Sequence, residues 1–514
     1  MKIYLLFFCL LIHGFIYAQI PEDAIRYSFY PQAGTARNMA IGGVMGSLGG
    51  DLTATYVNPA GIALYKTNEF VFTPSLFLNN NKASFRNSNS KNTISNLGFG
   101  TSGWVFGYSN PNAPNTSSAF SIGITQTANF NNELLYKGLN NYSSFSEQFA
   151  EEFAKSGFSI NEALNANSRF PYSSAPALYT YLIDSIKVGS VTQIKGAPEY
   201  ILDAGQALQQ EMIKKTKGAI SELAIGFGHN SNDKLLIGGS IGIPLVNYTS
   251  NTIFKESDTS ANTSNHFKEF EYTDDFTTKG IGVNARVGII YRPQDYIRLG
   301  LVIHTPTFMF LTDTRTTTLN TQLENPIAFF SVSSQTFTNN KPGEAKYIQS
   351  TPFKAIISAA YVFREIVDVK KQKGFISVDI EYIQHMGSRF SSDNETISDQ
   401  EKIYYKALNE VVKTDYKGSF NLKLGGELKF NVLMARLGFG YYGNPYKNSA
   451  YKASRILLSG GIGYRNKGFF VDLTYVHAKS KDVNFPYRLA DRANTFATLK
   501  QQRGNIIASV GFKF

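Results

Sequence analysis

Along much of this chain apolar and polar residues alternate one by one. Near its end Ile506, Ala508, Val510, Phe512 and Phe514 share one face, while Asn505, Ser509, Gly511 and Lys513 share the other. The same period sets Ile281, Val283, Ala285, Val287, Ile289 and Tyr291 against Gly282, Asn284, Arg286 and Gly288. It recurs where Phe420, Leu422, Leu424, Leu428 and Phe430 face away from Asn421, Lys423, Glu427 and Lys429. Successive side chains of a strand point to opposite faces, so each segment predicts a strand with one greasy and one wet surface. A soluble sandwich does this in a few strands; many copies, each about ten residues or longer, fit a closed sheet that crosses a bilayer.

Read this way, the chain holds about fourteen strands. They begin near Glu69, Ile94, Ser118, Ala219, Lys234, Lys279, Asp295, Pro352, Lys373, Lys417, Asn431, Ala453, Lys467 and Arg503. The connections alternate in length. Asn230 to Asp233, Arg292 to Gln294, Phe430-Asn431 and Arg465 to Lys467 are tight, whereas Leu78 to Thr93, Ser250 to Thr278, Thr312 to Thr351, Gly387 to Tyr416 and Lys479 to Gln502 are long. Outer-membrane barrels have short turns on the periplasmic side and long loops outside, with an even number of strands. The expected fold is therefore all-β: a transmembrane antiparallel barrel with an N-terminal plug and helical extracellular insertions.

The stretch from Asn131 to Gly218 leaves strand character. Phe145, Phe149 and Phe153 recur every four residues with Glu147, Glu151 and Glu152 between them, which predicts an amphipathic helix. A second helix is predicted over 198–217, with Ile201, Leu208, Met212 and Ile213 apolar and Pro198 in the first turn, where proline is tolerated. Such faces either collect an apolar ligand at the barrel mouth or pack on one another and on the rim.

At the other end, Met1-Lys2, the apolar run Ile3 to Tyr17 and then Ala18-Gln19 predict an export signal over residues 1–18, cleaved in the mature protein. Residues 19–66 are rich in small residues: Gly34, Ala36, Gly42, Gly43, Gly46, Gly49, Gly50, and then Asn58-Pro59-Ala60-Gly61. Such a segment is too poor in bulk to make a core of its own and too apolar for a disordered tail. Glycine permits close backbone approach and tight turns, so the segment is expected to plug the lumen of a barrel formed by residues 67–514, with 131–218 as its helical insertion.

Composition sharpens this picture at two points. Tyr 30 and Phe 40 against one Trp, with 43 Gly and only 17% charged residues, is the usage of an aromatic-rich β protein. Cys9, the only cysteine, lies in the export signal, so the mature chain has no thiol nucleophile, disulfide or cysteine metal site. The formal charge of +11 comes from scattered lysines and arginines rather than a basic run interleaved with aromatics. That argues against a nucleic-acid partner and assigns the excess to lumen and loop surfaces and to outer-membrane lipid headgroups.

The N-terminal residues carry a family resemblance. Asp51-Leu52-Thr53-Ala54-Thr55-Tyr56-Val57-Asn58-Pro59-Ala60-Gly61, after its Gly/Ala-rich lead, resembles the start of the FadL-type outer-membrane long-chain fatty-acid transporter family. Arg286-Val287-Gly288, Arg298-Leu299-Gly300, Leu424-Gly425-Gly426-Glu427, Arg436-Leu437-Gly438-Phe439-Gly440-Tyr441 and Ser459-Gly460-Gly461-Ile462-Gly463-Tyr464 are similar to its strand motifs. The resemblance implies a fourteen-stranded, monomeric barrel in the bacterial outer membrane, with Asn58, Pro59, Ala60 and Gly61 in a hatch. It also implies passive passage of a hydrophobic small molecule, such as a long-chain fatty acid or a related hydrocarbon, from an outer groove to a barrel pocket and out through a gap in the wall. The substrate-binding residues do not align position by position. A branch with the same barrel binds protein cargo instead, so an anchor or shuttle for a secreted partner is the alternative.

Other chemistry is thin. Gly238-Gly239-Ser240-Ile241-Gly242 matches the nucleophile-elbow pattern but sits inside an alternating strand instead of a strand-to-helix turn. Gly98-Phe99-Gly100-Thr101-Ser102-Gly103 matches a dinucleotide fingerprint, yet Trp104-Val105-Phe106 continue a strand where a helix should begin. His229, His266, His304, His385 and His477 lack paired ligand spacing, and no metal or other cofactor is expected. Asp379, Glu381 and Asp472, with Arg286, Lys423, Lys429 and Arg436, read as lumen ion-pair networks, and the chain is not read as an enzyme. Pro74 marks either an early strand end or a defect in the wall.

Overall fold

The computed structural model describes residues 23–324, 327–363, 373–449 and 451–514; the predicted export signal falls outside these residues. Fourteen antiparallel strands close into one barrel. They are β1 (Glu69–Phe72, Pro74–Phe85), β2 (Ser88–Phe99, Ser102–Asn110), β3 (Ala113–Asn129, Asn132–Asn140), β4 (Leu208–Ser231), β5 (Leu235–Asp258), β6 (Glu269–Gln294) and β7 (Ile297–His304, Phe308–Glu324). The second half is β8 (Gly343–Ser350, Lys354–Phe363), β9 (Gly374–Gln384, Arg389–Ser392), β10 (Gly418–Phe430), β11 (Leu433–Tyr442), β12 (Arg455–Asn466), β13 (Phe469–Asn484) and β14 (Ala497–Lys513). β14 pairs back with β1, Glu69 lying opposite Lys513 and Ser75 opposite Ile507.

The two faces sort as the period predicts. Ile241, Val287, Leu301, Ile357, Leu424 and Ile462 stand exposed on the outside, forming the apolar belt that hydrocarbon would cover. Arg286, Glu427 and Asp472 point inward and are only 8%, 2% and 1% exposed. Tight turns gather at one end, at Asn232-Asp233, Asn431 and Lys467, all with positive φ. The chain terminus lies at that end too: Asn68 and Phe514 exchange backbone hydrogen bonds of 3.0 and 3.1 Å.

Three expectations change above the belt. The loop expected from Leu78 to Thr93 is a hairpin: β1 and β2 run on to a two-residue turn at Arg86-Asn87 (φ 48° and 61°). Both faces of Asn79–Asn81 and Ser88–Asn92 are polar, so the ladder continues where alternation disappears. The helix expected over 198–217 is confined to α6 (Glu199–Asp203), because from Leu208 onward the backbone pairs with β5 on one side and β3 on the other. Two ladders outweigh helix propensity there. Accordingly the insertion expected over 131–218 narrows, since Asn132–Asn140 and Leu208–Gly218 belong to the wall.

What remains, residues 141–207, is a lid. It holds α3 (Ser146–Ser156), α4 (Ile160–Ala163), α5 (Ser174–Tyr179), α6 and a hairpin of Ile183–Val188 with Val191–Gly196. The predicted stripe of Phe145, Phe149 and Phe153 is buried against the rim, Phe145 stacking on Phe254 at 4.5 Å and meeting Tyr272 and Tyr487. Burying each such ring is worth roughly 1.5–3 kcal/mol, so the stripe holds the lid down.

The lid carries buried acids. Burial pushes Glu199 up to about 7, against the 2.6 Å hydrogen bond it accepts from Gly196 N–H. The folded lid therefore holds a proton that an unfolded lid releases. Its stability rises as pH falls through about 7 toward the ordinary carboxylate range, and is lost as pH rises through 7. Limited proteolysis of residues 141–207 is expected to be slower at about pH 5.5 than at about pH 8. Glu199→Gln should narrow that difference; an unchanged pH dependence would rule Glu199 out as its source.

Candidate functional site

Residues 23–66 run inside the barrel. Their short elements, α1 (Asp23–Arg26), α2 (Ala36–Ala40) and the 3₁₀ turns Leu52–Tyr56 and Pro59–Leu64, follow their caps. Thr35 caps α2, Asp51 accepts from Thr53 N–H at 2.9 Å, and Asn58 caps the last turn with Pro59 in its permitted first position.

Asn58 ties three pieces together. Its Oδ1 accepts from Ala60 N–H at 3.1 Å, and its Nδ2 donates to Gly46 O at 2.5 Å and to the wall carbonyl of Ile289 at 3.3 Å. Gly61 is needed because the backbone of Gly49 packs directly on it: a Cβ there would lie 2.7 Å from Gly49 Cα. The wall has matching seats. At the lumen faces of Gly228, Gly238, Gly288, Gly300, Gly425 and Gly438 a Cβ would fall between 2.0 and 2.7 Å from an atom of the inner segment. Where the wall lacks such a glycine it bonds instead. Asp379 accepts from Met45 and Gly46 N–H at 2.9 and 3.0 Å, Arg298 donates to Leu48 O at 3.1 Å, and His304 Nε2 meets Val57 O at 2.8 Å. Arg37 reaches Glu427, which also pairs with Arg436 at 2.6 Å, and Arg436 with Asp472 at 2.5 Å.

These seats account for the pattern that resembled a nucleophile elbow. Gly238, Ser240 and Gly242 are successive lumen-facing positions of β5, and Ser240 Oγ donates to Thr55 O at 2.8 Å. Among the described residues no group of His, Cys, Asp and Glu is arranged to hold a metal.

Above this floor lies a cavity of about 110 Å³. Arg286, Lys354 and Lys423 line it together with Glu222 and Glu381, leaving one positive charge in excess. Arg286 pairs with Glu222 at 2.5 Å, while Lys354 and Lys423 share Glu381 at 3.4 Å each. Nε and Nη1 of Arg286 are buried and have no partner. Arg286, Lys423 and Glu381 were legible as lumen charges; Lys354 and Glu222 gave no signal beyond their inward parity, and the meeting of all five on different strands gave none. Tyr27, Tyr30 and Gln32 of the inner segment also line the cavity. Tyr27 joins an apolar cluster with Tyr248, Met309, Leu311, Tyr347 and Phe390, closed off by Tyr405, Leu408 and Val412 of α7 (Asp399–Asp415). A small cationic chamber thus adjoins an apolar mass.

The wall is also interrupted beside this chamber. Thr73 separates the two halves of β1, Pro74 opening the second, and Gly100-Thr101 separate those of β2, at one level: Gly100 N–H donates to Thr73 O at 2.7 Å. Pro74 therefore sits beside a break in mid-wall, paired with Phe99, and β1 runs on past it to Phe85. Among the described residues the β2–β3 ladder covers only Ser102–Asn110 against Ile124–Ala113. Beyond it β3 passes behind its neighbours, and Asn79 and Asn81 of β1 donate to the carbonyls of Asn131 and Glu133 at 2.7 and 2.6 Å.

No protein-family model matches the sequence, and no curated protein matches it. Solved structures do share the shape. The chain is similar to a Pseudomonas aeruginosa FadL homologue with a TM-score of 0.50 and 11% identity, covering 93% of this chain and 98% of that one. It is similar to the Pseudomonas putida toluene transporter TodX at 0.50 and 13%, covering 94% and 99%. A deltaS2 mutant of the TodX monoaromatic hydrocarbon channel gives 0.52 and 12%, covering 95% and 100%. At such identities the likeness is one of fold, and the chain has the fourteen-stranded barrel fold of the FadL type.

Proposed function

We propose that this protein is a monomeric outer-membrane channel for hydrophobic small molecules that carry an acidic head, long-chain fatty acids first among them. The observation that carries this is the chamber of Arg286, Lys354 and Lys423, whose excess positive charge and unpaired guanidinium donors suit a carboxylate. A bare hydrocarbon would find no partner there. The adjoining apolar cluster would take the tail, each buried CH₂ being worth roughly 0.8 kcal/mol. Residues 19–66 act as the hatch, with Asn58, Pro59, Ala60 and Gly61 as its pin, and the interrupted wall beside β3 is the way out. Passage is passive, driven by partition of the tail from water into protein and then into lipid.

Uptake of a labelled long-chain fatty acid by a deletion strain, restored by the intact gene, is the expected result, and mass spectrometry of lipid co-purified with the protein should return fatty acid. Unchanged uptake together with a co-purifying secreted protein would turn the case toward a protein anchor.

A further inference from the structure

The interrupted wall is filled with side-chain amides. Beyond Ile124 the outer side of β3 lies against the inner side of β1 and β2, and the layer between them holds Asn79, Asn81, Asn96, Gln126, Asn129 and Asn131. Asn129 Nδ2 donates to Asn96 Oδ1 at 3.0 Å, Asn131 Nδ2 reaches the same oxygen at 3.5 Å, and Gln126 Oε1 accepts from Phe99 N–H at 3.3 Å. Gly98 leaves the room for this, since a Cβ there would sit 2.4 Å from Gln126 Oε1. These bonds stand in for the backbone ladder that ends at Ile124. They lie at the depth of Leu97, whose side chain is 81% exposed on the outer surface.

The set is not self-sufficient. Asn79 Oδ1, Asn81 Oδ1 and Asn96 Nδ2 are buried without a partner. Buried amides left unpaired are costly, so the layer favours a visitor that can hydrogen-bond. Thr125 and Thr127, which flank Gln126 on β3, line the cationic chamber, so one strand separates chamber from amide layer.

Resting on the channel reading above, we infer that the Asn96–Gln126–Asn129 amide set is a latch across the wall, opened by exchange of its hydrogen bonds with the head of the departing molecule. It therefore passes carboxyl- or hydroxyl-headed amphiphiles and retards plain hydrocarbons, which would break the amide bonds and offer none in return.

The test uses the full chain in proteoliposomes. Because the only native cysteine is Cys9 of the predicted export signal, Asn96→Cys with Asn129→Cys can be bridged by a reducible bis-thiosulfonate linker. Bridging should lower palmitate flux about tenfold or more, reductant should restore it, and palmitate binding should be unchanged. Normal flux through the bridged protein would overturn the latch. Failure of the unbridged protein to bind palmitate would instead overturn the acidic-head reading of the chamber. Asn96→Leu with Asn129→Leu addresses selectivity: the palmitate-to-hexadecane flux ratio should fall about tenfold, the size of one or two lost hydrogen bonds. An unchanged ratio in protein that still binds palmitate would refute head-group selection.

Discussion

Gly288→Val is expected to unseat the inner segment and turn a closed barrel into a leaky one. The new Cβ would start 2.0 Å from Asn58 Oδ1. Overpacking of this kind costs about 1–3 kcal/mol. The larger penalty follows from displacing Asn58, because Gly46 O, Ile289 O and Ala60 N–H then lose partners while buried, each at about 1–3 kcal/mol. The β-ladder of the wall needs none of these bonds, so the barrel should still assemble. Conductance across a planar bilayer, or entry of a bulky antibiotic, reads the outcome. Gly460→Ala is the control, for a Cβ there meets nothing nearer than 3.5 Å. A Gly288 variant as tight as the parent would show that the Asn58 tetrad does not seal the lumen.

The second large effect concerns the chamber. Removing Arg286 alone would strand Glu222 as a buried, unpaired charge, which confounds any loss of binding with loss of structure. The informative variant is Arg286→Met with Glu222→Gln, which leaves Lys354, Lys423 and Glu381 in place. Hydrogen bonds to a charged group are worth about 1.5–3 kcal/mol, so palmitate affinity should drop roughly 10- to 150-fold. Binding of an uncharged alcohol of equal chain length should drop much less. Equal losses for acid and alcohol would show that the head group does not sit at Arg286.

Much of the architecture was legible because parity persists along most of each strand. Arg286, Glu427 and Asp472 fall inward since they share parity with Gly288, Lys423 and Thr474 on their strands, and one apolar position in two is enough to reveal the outer face. Legibility fails where both faces are wet. That is why the hairpin tip at Arg86-Asn87 passed for a loop, and why Leu208–Lys217, whose inward residues include Gln210, passed for a helix. The spacing of Tyr405, Leu408 and Val412 suits a helix, yet Gly387 to Tyr416 is expected only as a long connection, and α7 is missed. The site was less readable still. The tetrad Asn58 to Gly61 stood out through its small-residue run and the resemblance, while the wall seats of the inner segment, Gly238, Gly288, Gly300, Gly425 and Gly438, looked like the ordinary glycines of a barrel. Their meaning lies in what stands opposite each one, a relation between positions up to several hundred residues apart that no local pattern records.

The seating of the inner segment bears on how the molecule is made. The seam of the barrel joins β1 to β14, a contact between the two ends of the sheet, so the cylinder stays open until the last strand is in hand. Once shut, its bore is too narrow at six glycines to admit even one methyl group beside the threaded chain. Assembly must therefore bring cork and staves into a single register, since a slip of one position would set a side chain where only hydrogen has room.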